Sequence, residues 1–201
     1  MKKVNVKKLV MYSLLTAIIV LMGFTPLGYL KVGVVEITFL TIPVIIGGVL
    51  LGKKAGGFLG LVFGLTSFIQ CFGMSAFGSA LLAINGFSAF VVCVVPRVIM
   101  GFVCGLVAEL VKNKSRFLLA SLTAPILNTV LFVGALLLFF GNSDYIQNLM
   151  STLGGGYVIA FIVAFVGVNG LIEAGVCAVV GTVVSAGVYK ALNSRGRSVD
   201  K

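Results

Sequence analysis

Residues Gly86–Val111 read GFSAFVVCVVPRVIMGFVCGLVAELV, an apolar run interrupted near its middle by Pro96-Arg97. About 20 predominantly apolar residues span a bilayer, so this run is expected to be a transmembrane helix. An arginine at that depth costs roughly 2.5–3.5 kcal/mol on insertion scales. A proline beside it removes a backbone donor and loosens the helical ladder. Such a pair belongs against the protein interior or a water-filled cavity. Arg97 is therefore the first candidate to bind an anionic solute.

The rest of the chain has the same character. It is 201 residues long, 60% hydrophobic and 10% charged, with a mean hydropathy of +1.20. A soluble domain of this size has no use for so much apolar surface, so the class is an integral membrane protein in contact with lipid. The net charge of +10 sits in short clusters between apolar runs, with no basic face interleaved with aromatics. Nucleic acid is excluded as a partner on that ground, and the charges read as topology signals. Cys71, Cys93, Cys104 and Cys177 form no CxxC pair, and there is no histidine to complete a zinc site. They are expected to pack as small apolar side chains, and no metal or cofactor is implied.

Six spans can be drawn, at about 9–25, 37–51, 56–72, 87–111, 117–140 and 158–189, in an all-α bundle forming one domain over 1–201. The N-terminus has the charged start and apolar core of a signal peptide but no small-residue cleavage site, and is read as the first helix. With the N-terminus in the cytoplasm, Lys2, Lys3, Lys7, Lys8, Lys53, Lys54, Lys112, Lys114, Arg116, Lys190, Arg195, Arg197 and Lys201 all fall inside. Only Lys31 falls outside, so both termini are expected to be cytoplasmic.

Several local patterns add to this frame. Ser13 and Ala17 make a small-xxx-small pair on the first span, a surface that another helix can approach closely. TPLGYLKVGVVEITFL, residues Thr25–Leu40, is too polar and Gly-rich to stay helical; Lys31 and Glu36 are expected to be solvated there. Pro43 is expected to interrupt the short second span, with Thr38 and Thr41 either satisfying freed backbone groups or lining a cavity. Gly47, Gly52, Lys53 and Lys54 come near a phosphate-binding loop, but no strand precedes them and Lys54 replaces the magnesium-binding hydroxyl, so nucleotide binding is rejected. Gly56, Gly60 and Gly64 share one face of the third span, a groove for close helix packing. The uncharged loop GMSAFGSALLAIN follows, as a short helix over a pocket mouth or as a re-entrant connector, flanked by Gln70 and ending at Asn85.

Asn128, counted in from Arg116 at about 1.5 Å per residue, falls near mid-membrane. Asn169 and Glu173 are one turn apart on the last span and share a face. Arg97, Asn128, Asn169 and Glu173 therefore come from three spans at compatible depths, and each is costly in lipid unless paired or wet. Two arrangements satisfy that condition. In one, Glu173 neutralises Arg97 and the asparagines cap kinks in a sealed network. In the other, the four line a solute site open to the outside, with Gln70 and Asn85 as further ligands. The planar fork of arginine suits a carboxylate, and a single positive group favours a monoanion over a phosphate. Glu109, beside Lys112, reads as a solvated interface charge. Without histidine, paired carboxylates or a nucleophile motif, catalysis finds no support.

Two stretches carry a family likeness. ITFLTIPVIIGGVLLGKKAGGFLGLVFGLTSFIQCFG, residues Ile37–Gly73, resembles the substrate-binding S components of energy-coupling factor (ECF) vitamin transporters, and FVVCVVPRVIMG, residues Phe90–Gly101, is similar to their pantothenate-type members. The resemblance implies a multi-pass protein of a prokaryotic plasma membrane that binds a vitamin near its outer face, between helices four to six. It further implies docking on a coupling subunit (EcfT) through small residues of the first helix, with ATP hydrolysed by two separate ATPase subunits. Ser13 and Ala17 stand where family members carry alanines, a departure at the first position. Competing readings are an S component for riboflavin, with Phe68, Phe72, Phe77, Phe87 and Phe90 forming an aromatic slot, and an assembly subunit that transports nothing.

Overall fold

The computed structural model describes residues 6–26, 28–32 and 35–194. Helix α1 (Val6–Gly23) leads into an antiparallel hairpin of β1 (Tyr29–Val32) and β2 (Val35–Thr38). Its register pairs Tyr29 with Thr38 and Lys31 with Glu36. Then come α2 (Thr41–Leu51), α3 (Lys53–Gln70), α4 (Ala76–Ile84), α5 (Gly86–Leu110) and α6 (Arg116–Phe140). The chain closes with α7 (Asp144–Gly154), α8 (Val158–Val176), a π-helical turn (Cys177–Gly181) and α9 (Thr182–Ser194).

The all-α expectation thus needs a correction at Thr25–Leu40. Its YLKV and VEIT segments are rich in β-branched residues and zip together, and the Phe39 N–H donates to the Gly28 carbonyl at 2.9 Å to close the base of the hairpin. The side chains of Lys31 and Glu36, expected in solvent, lie outside the described ones.

Among the described residues, four helical stretches are long and apolar enough to cross a membrane: Val6–Gly23, Gly86–Leu110, Arg116–Phe140 and Gly170–Ala191. A fifth is reached if Asp144–Leu153 and Val158–Ala164, which meet at 77°, are counted as one broken span. The other two expected spans are different in kind. Helix α2 has 11 residues, and α3 dilutes its apolar residues with Lys53, Lys54, Gln70 and a row of glycines. The last apolar run, read as one span over 158–189, is broken: Gly167 leaves helical geometry at φ 10°, ψ −115°. Pro43 does not interrupt α2 either. It lies in the first turn, where a missing N–H breaks no intrahelical bond.

The core forms where α3 lies along α5, backbone against backbone. A Cβ on Gly56 would overlap the Gly101 carbonyl, one on Gly60 the Arg97 carbonyl, and one on Gly64 would sit 2.7 Å from the Val94 Cα. The glycine face thus has α5 as its partner, and Phe63 and Leu59 fill the space beside the seam without exposure. At the other end of α3, Gly52 takes φ 96°, a left-handed conformation that glycine adopts without strain. Glu109, read above as a solvated charge beside Lys112, is exposed, and it also fastens this corner. Its carboxylate accepts from the Lys53 N–H at 3.0 Å and lies 3.2 Å from Lys53 Nζ, anchoring the start of α3 to the end of α5.

Candidate solute-binding site

The Pro96-Arg97 pair acts as a unit. Proline at position 96 has no N–H to give the Val92 carbonyl one turn back, so that acceptor loses its helical partner. The Arg97 side chain folds toward the start of its own helix, and its Nη1 donates to the Val92 carbonyl at 2.8 Å. The proline opens a gap in the ladder, and the neighbouring guanidinium fills it. One of the five guanidinium N–H donors is used in this way.

The remainder of the group is held but not neutralised. Arg97 is 7% exposed. Its guanidinium carbon is 4.6 Å from the Phe132 ring centroid and 5.6 Å from that of Phe63, distances at which an aromatic face stabilises a cation. Nε is buried with no hydrogen-bond partner. Lys53 and Glu109 form an ion pair, and among the described residues no carboxylate oxygen is paired with Arg97 within 4.0 Å. Arg97 and Glu173 thus share one cavity without the direct ion pair that the sealed arrangement would have.

Arg97 faces an internal cavity of about 130 Å³, an order of magnitude above the ~10–15 Å³ that one water needs. Asn128 and Phe132 line it from α6, one turn apart on the same face. Asn128 is buried, and its Oδ1 has no partner. Glu173 lines the cavity from α8, between the break at Gly167 and the π-helical turn. The Thr41 hydroxyl lies 3.0 Å from Glu173 Oε1 and 3.3 Å from the Thr38 carbonyl, so this carboxylate is tied to the start of α2 rather than to Arg97. Thr38 itself reaches the cavity. Gln70 also lines it, but its amide nitrogen donates to the Gly23 carbonyl, which fastens the end of α3 to the end of α1.

Arg97, Asn128, Glu173 and Gln70 are therefore brought together. Asn169 lies on α8 one turn before Glu173, and its side chain is outside the described ones. Asn85 is not brought in. It is exposed, and its Oδ1 accepts from the Ser88 N–H at 3.0 Å as the N-cap of α5. Ser67, Thr129 and Phe132 line the cavity without having been singled out in the sequence. Hydroxyls are cheap in a membrane helix because they can bond to their own backbone, and one phenylalanine among 16 gives no signal.

Short α4 forms a cover, as one reading of GMSAFGSALLAIN had it. Ser75 caps it, accepting from the Gly78 N–H at 3.3 Å, and Phe77 and Leu81 point into the cavity. Phe77 meets Tyr145 of α7 with ring centroids 6.1 Å apart. The aromatic slot is not assembled: of its five phenylalanines only Phe77 lines the cavity, and Phe72 and Phe87 are exposed. Away from the cavity, Ser13 and Ala17 are exposed along an apolar groove between α1 and Phe58.

Two buried polar atoms without partners, Arg97 Nε and Asn128 Oδ1, thus belong to the walls of one cavity. Buried donors and acceptors are nearly always satisfied; a solute with both an anionic acceptor for the Arg97 N–H and a hydroxyl or N–H donor for Asn128 Oδ1 would satisfy both. The family model for "ECF transporter, substrate-specific component" matches residues 7–185. The pantothenic acid transporter PanT of Lactococcus lactis subsp. cremoris is 31% identical over 173 residues, which is 80% of this chain and 81% of that protein. The pantothenate transporter PanT of Leuconostoc mesenteroides is 32% identical over 105 residues, half of each chain.

Proposed function

Since the chain belongs to the family of ECF transporter substrate-specific components, we propose that it captures pantothenate from outside the cell and passes it inward when docked on an energy module. The observation that carries this reading is a buried guanidinium facing a cavity whose one described carboxylate, that of Glu173, is bonded to Thr41 and makes no direct ion pair with it. Pantothenate has one carboxylate for Arg97, and an amide and two hydroxyls to meet Asn128, Glu173 and Gln70. Asn169 remains a candidate partner from its place one turn before Glu173. A solute this small binds tightly when it is largely enclosed.

In this reading the protein is a multi-pass subunit of a prokaryotic plasma membrane. The short α2 and the glycine-rich α3 complete six crossings, sheltered by their neighbours, with both termini cytoplasmic. The groove bearing Ser13 and Ala17 receives the coupling subunit EcfT, and two ATPase subunits supply the energy. The purified chain, offered water-soluble vitamins in equilibrium binding, retains pantothenate. The neutral alcohol pantothenol binds at least tenfold more weakly; equal binding of acid and alcohol would remove the anion from the argument. A sample that arrives coloured with flavin would favour the riboflavin reading.

Pro96 gives a second test. In Pro96→Ala a new N–H competes for the Val92 carbonyl, which stiffens α5 and loosens the hold on the guanidinium. A hydrogen bond to a charged group contributes about 1.5–3 kcal/mol, so affinity falls roughly tenfold or more while the melting temperature holds or rises. Unaltered affinity would show that the proline has no part in orienting Arg97.

A further inference from the structure

All four cysteines are buried and free, but they fall into two kinds. Cys104 donates its thiol to the Ala120 carbonyl at 3.3 Å, and Cys177 is fully enclosed in the core beside Thr41; neither lines the cavity. Cys71 and Cys93 both line the solute cavity instead, with their sulphurs 3.7 Å apart. They come from different helices. Cys93 is on α5, one turn before Arg97, whereas Cys71 is the C-cap of α3, its N–H still bonded to the Phe68 carbonyl at 3.0 Å, two residues before the chain turns away at Gly73.

Cys71 is also the point on which the cover rests. The Ser79 hydroxyl of α4 donates to the Cys71 carbonyl at 2.9 Å. A Cβ at Gly78 would fall 2.7 Å from the Cys71 sulphur, so the glycine lets α4 seat directly on the thiol. The end of α3, the cover and the Arg97-bearing helix therefore meet at this pair of sulphurs.

We propose that Cys71 and Cys93 form a dithiol modification site, closed to a disulfide by a small peroxide-class oxidant entering through the cavity. One thiol sulphur attacks the peroxide and breaks its O–O bond, giving a sulfenic acid and one water. The second thiol attacks the sulfenic sulphur, forming the S–S bond and releasing the second water. Two thiols lose two hydrogens and two electrons in total, and one peroxide is reduced to two waters. The sulphurs close by roughly 1.7 Å to reach the ~2.05 Å of a disulfide, a displacement that side-chain rotation and a small shift of the last turn of α3 can supply. The bond ties the cover, through Cys71, to α5. If the cavity takes pantothenate as proposed above, solute then enters and leaves more slowly.

The test uses the full-length purified protein treated with hydrogen peroxide, then denatured, alkylated and mapped by peptide mass spectrometry. Reduced protein takes label at all four cysteines. Oxidised protein takes it only at Cys104 and Cys177 and yields a Cys71–Cys93 linked peptide that dithiothreitol separates. Cys71→Ser and Cys93→Ser each yield no linked peptide. Label persisting at both Cys71 and Cys93 after oxidation, or linkage appearing equally at Cys104 and Cys177, overturns the site. Release of radiolabelled pantothenate is then compared between oxidised and reduced protein, with at least a tenfold slowing expected, reversed by dithiothreitol and not produced by peroxide in Cys71→Ser. A link that forms without changing release overturns the restraint on the cover. A link that forms in protein binding no pantothenate in either state overturns the solute reading and upholds the thiol site.

Discussion

Arg97→Ala abolishes pantothenate binding, while Arg97→Lys retains only a fraction of it. Truncating one member of a buried, hydrogen-bonded charge pair costs about 2–5 kcal/mol, or roughly thirty-fold to several-thousand-fold in Kd. The upper part of that range is expected here, because the described residues of the cavity wall include no second cation. Lysine keeps the charge but loses the planar fork, and it cannot both reach the Val92 carbonyl and present two parallel donors to a carboxylate. Pantothenol separates the causes. If its weak binding is no further weakened in the alanine variant, the loss belongs to the charge and not to a collapsed site. Isothermal titration with both compounds on wild type and both variants gives the four comparisons. Wild-type affinity in Arg97→Ala would remove this side chain from the site.

Gly60→Val strikes the fold itself. The added Cβ meets the backbone carbonyl of Arg97 rather than a side chain that can swing aside, so α3 and α5 must separate. Overpacking of a tight core typically costs about 1–3 kcal/mol, and a clash with backbone belongs at the upper end. Thermal unfolding in detergent should show a clear fall in melting temperature, with weakened binding because the displaced atoms belong to Arg97. Gly134→Ala is the control. It lies on α6 with nothing within 4 Å of its would-be Cβ, so the same kind of change leaves stability level or slightly raised. A Gly60→Val protein as stable as wild type would mean that the α3–α5 seam is looser than its geometry states.

How much of this was legible in the sequence depends on what each residue costs in a membrane. Arg97, Asn128, Gln70 and Glu173 were visible because a strongly polar group in an apolar run needs a reason; all four line one cavity, and Gln70 and Glu173 also tie helix ends together. The glycine row on α3 was visible as a packing face, although spacing alone does not name its partner. What stayed hidden is what carries little cost or acts over a long sequence distance. Thr129 and Phe132 are unremarked residue types in a membrane helix. The grip of Glu109 on Lys53 joins positions 56 apart. The hairpin was masked by its glycine and charges, which read equally well as a plain loop, and the break at Gly167 by the frequency of glycine in membrane helices. Asn85 misled because a polar side chain that ends one helix and caps the next looks, in sequence, like one placed for a ligand.

The Val92–Arg97 contact has one more implication. A positive charge moored to the main chain of its own helix travels with that helix through any tilt or rotation of the bundle in the bilayer. If Arg97 holds the solute as proposed, reorienting the protein does not by itself loosen it, and release would come from the opposite walls swinging clear: the hairpin, α4, or the α6 face that bears Asn128. A mutation that stiffens those walls would be expected to strand the nutrient inside a protein that still recognises it.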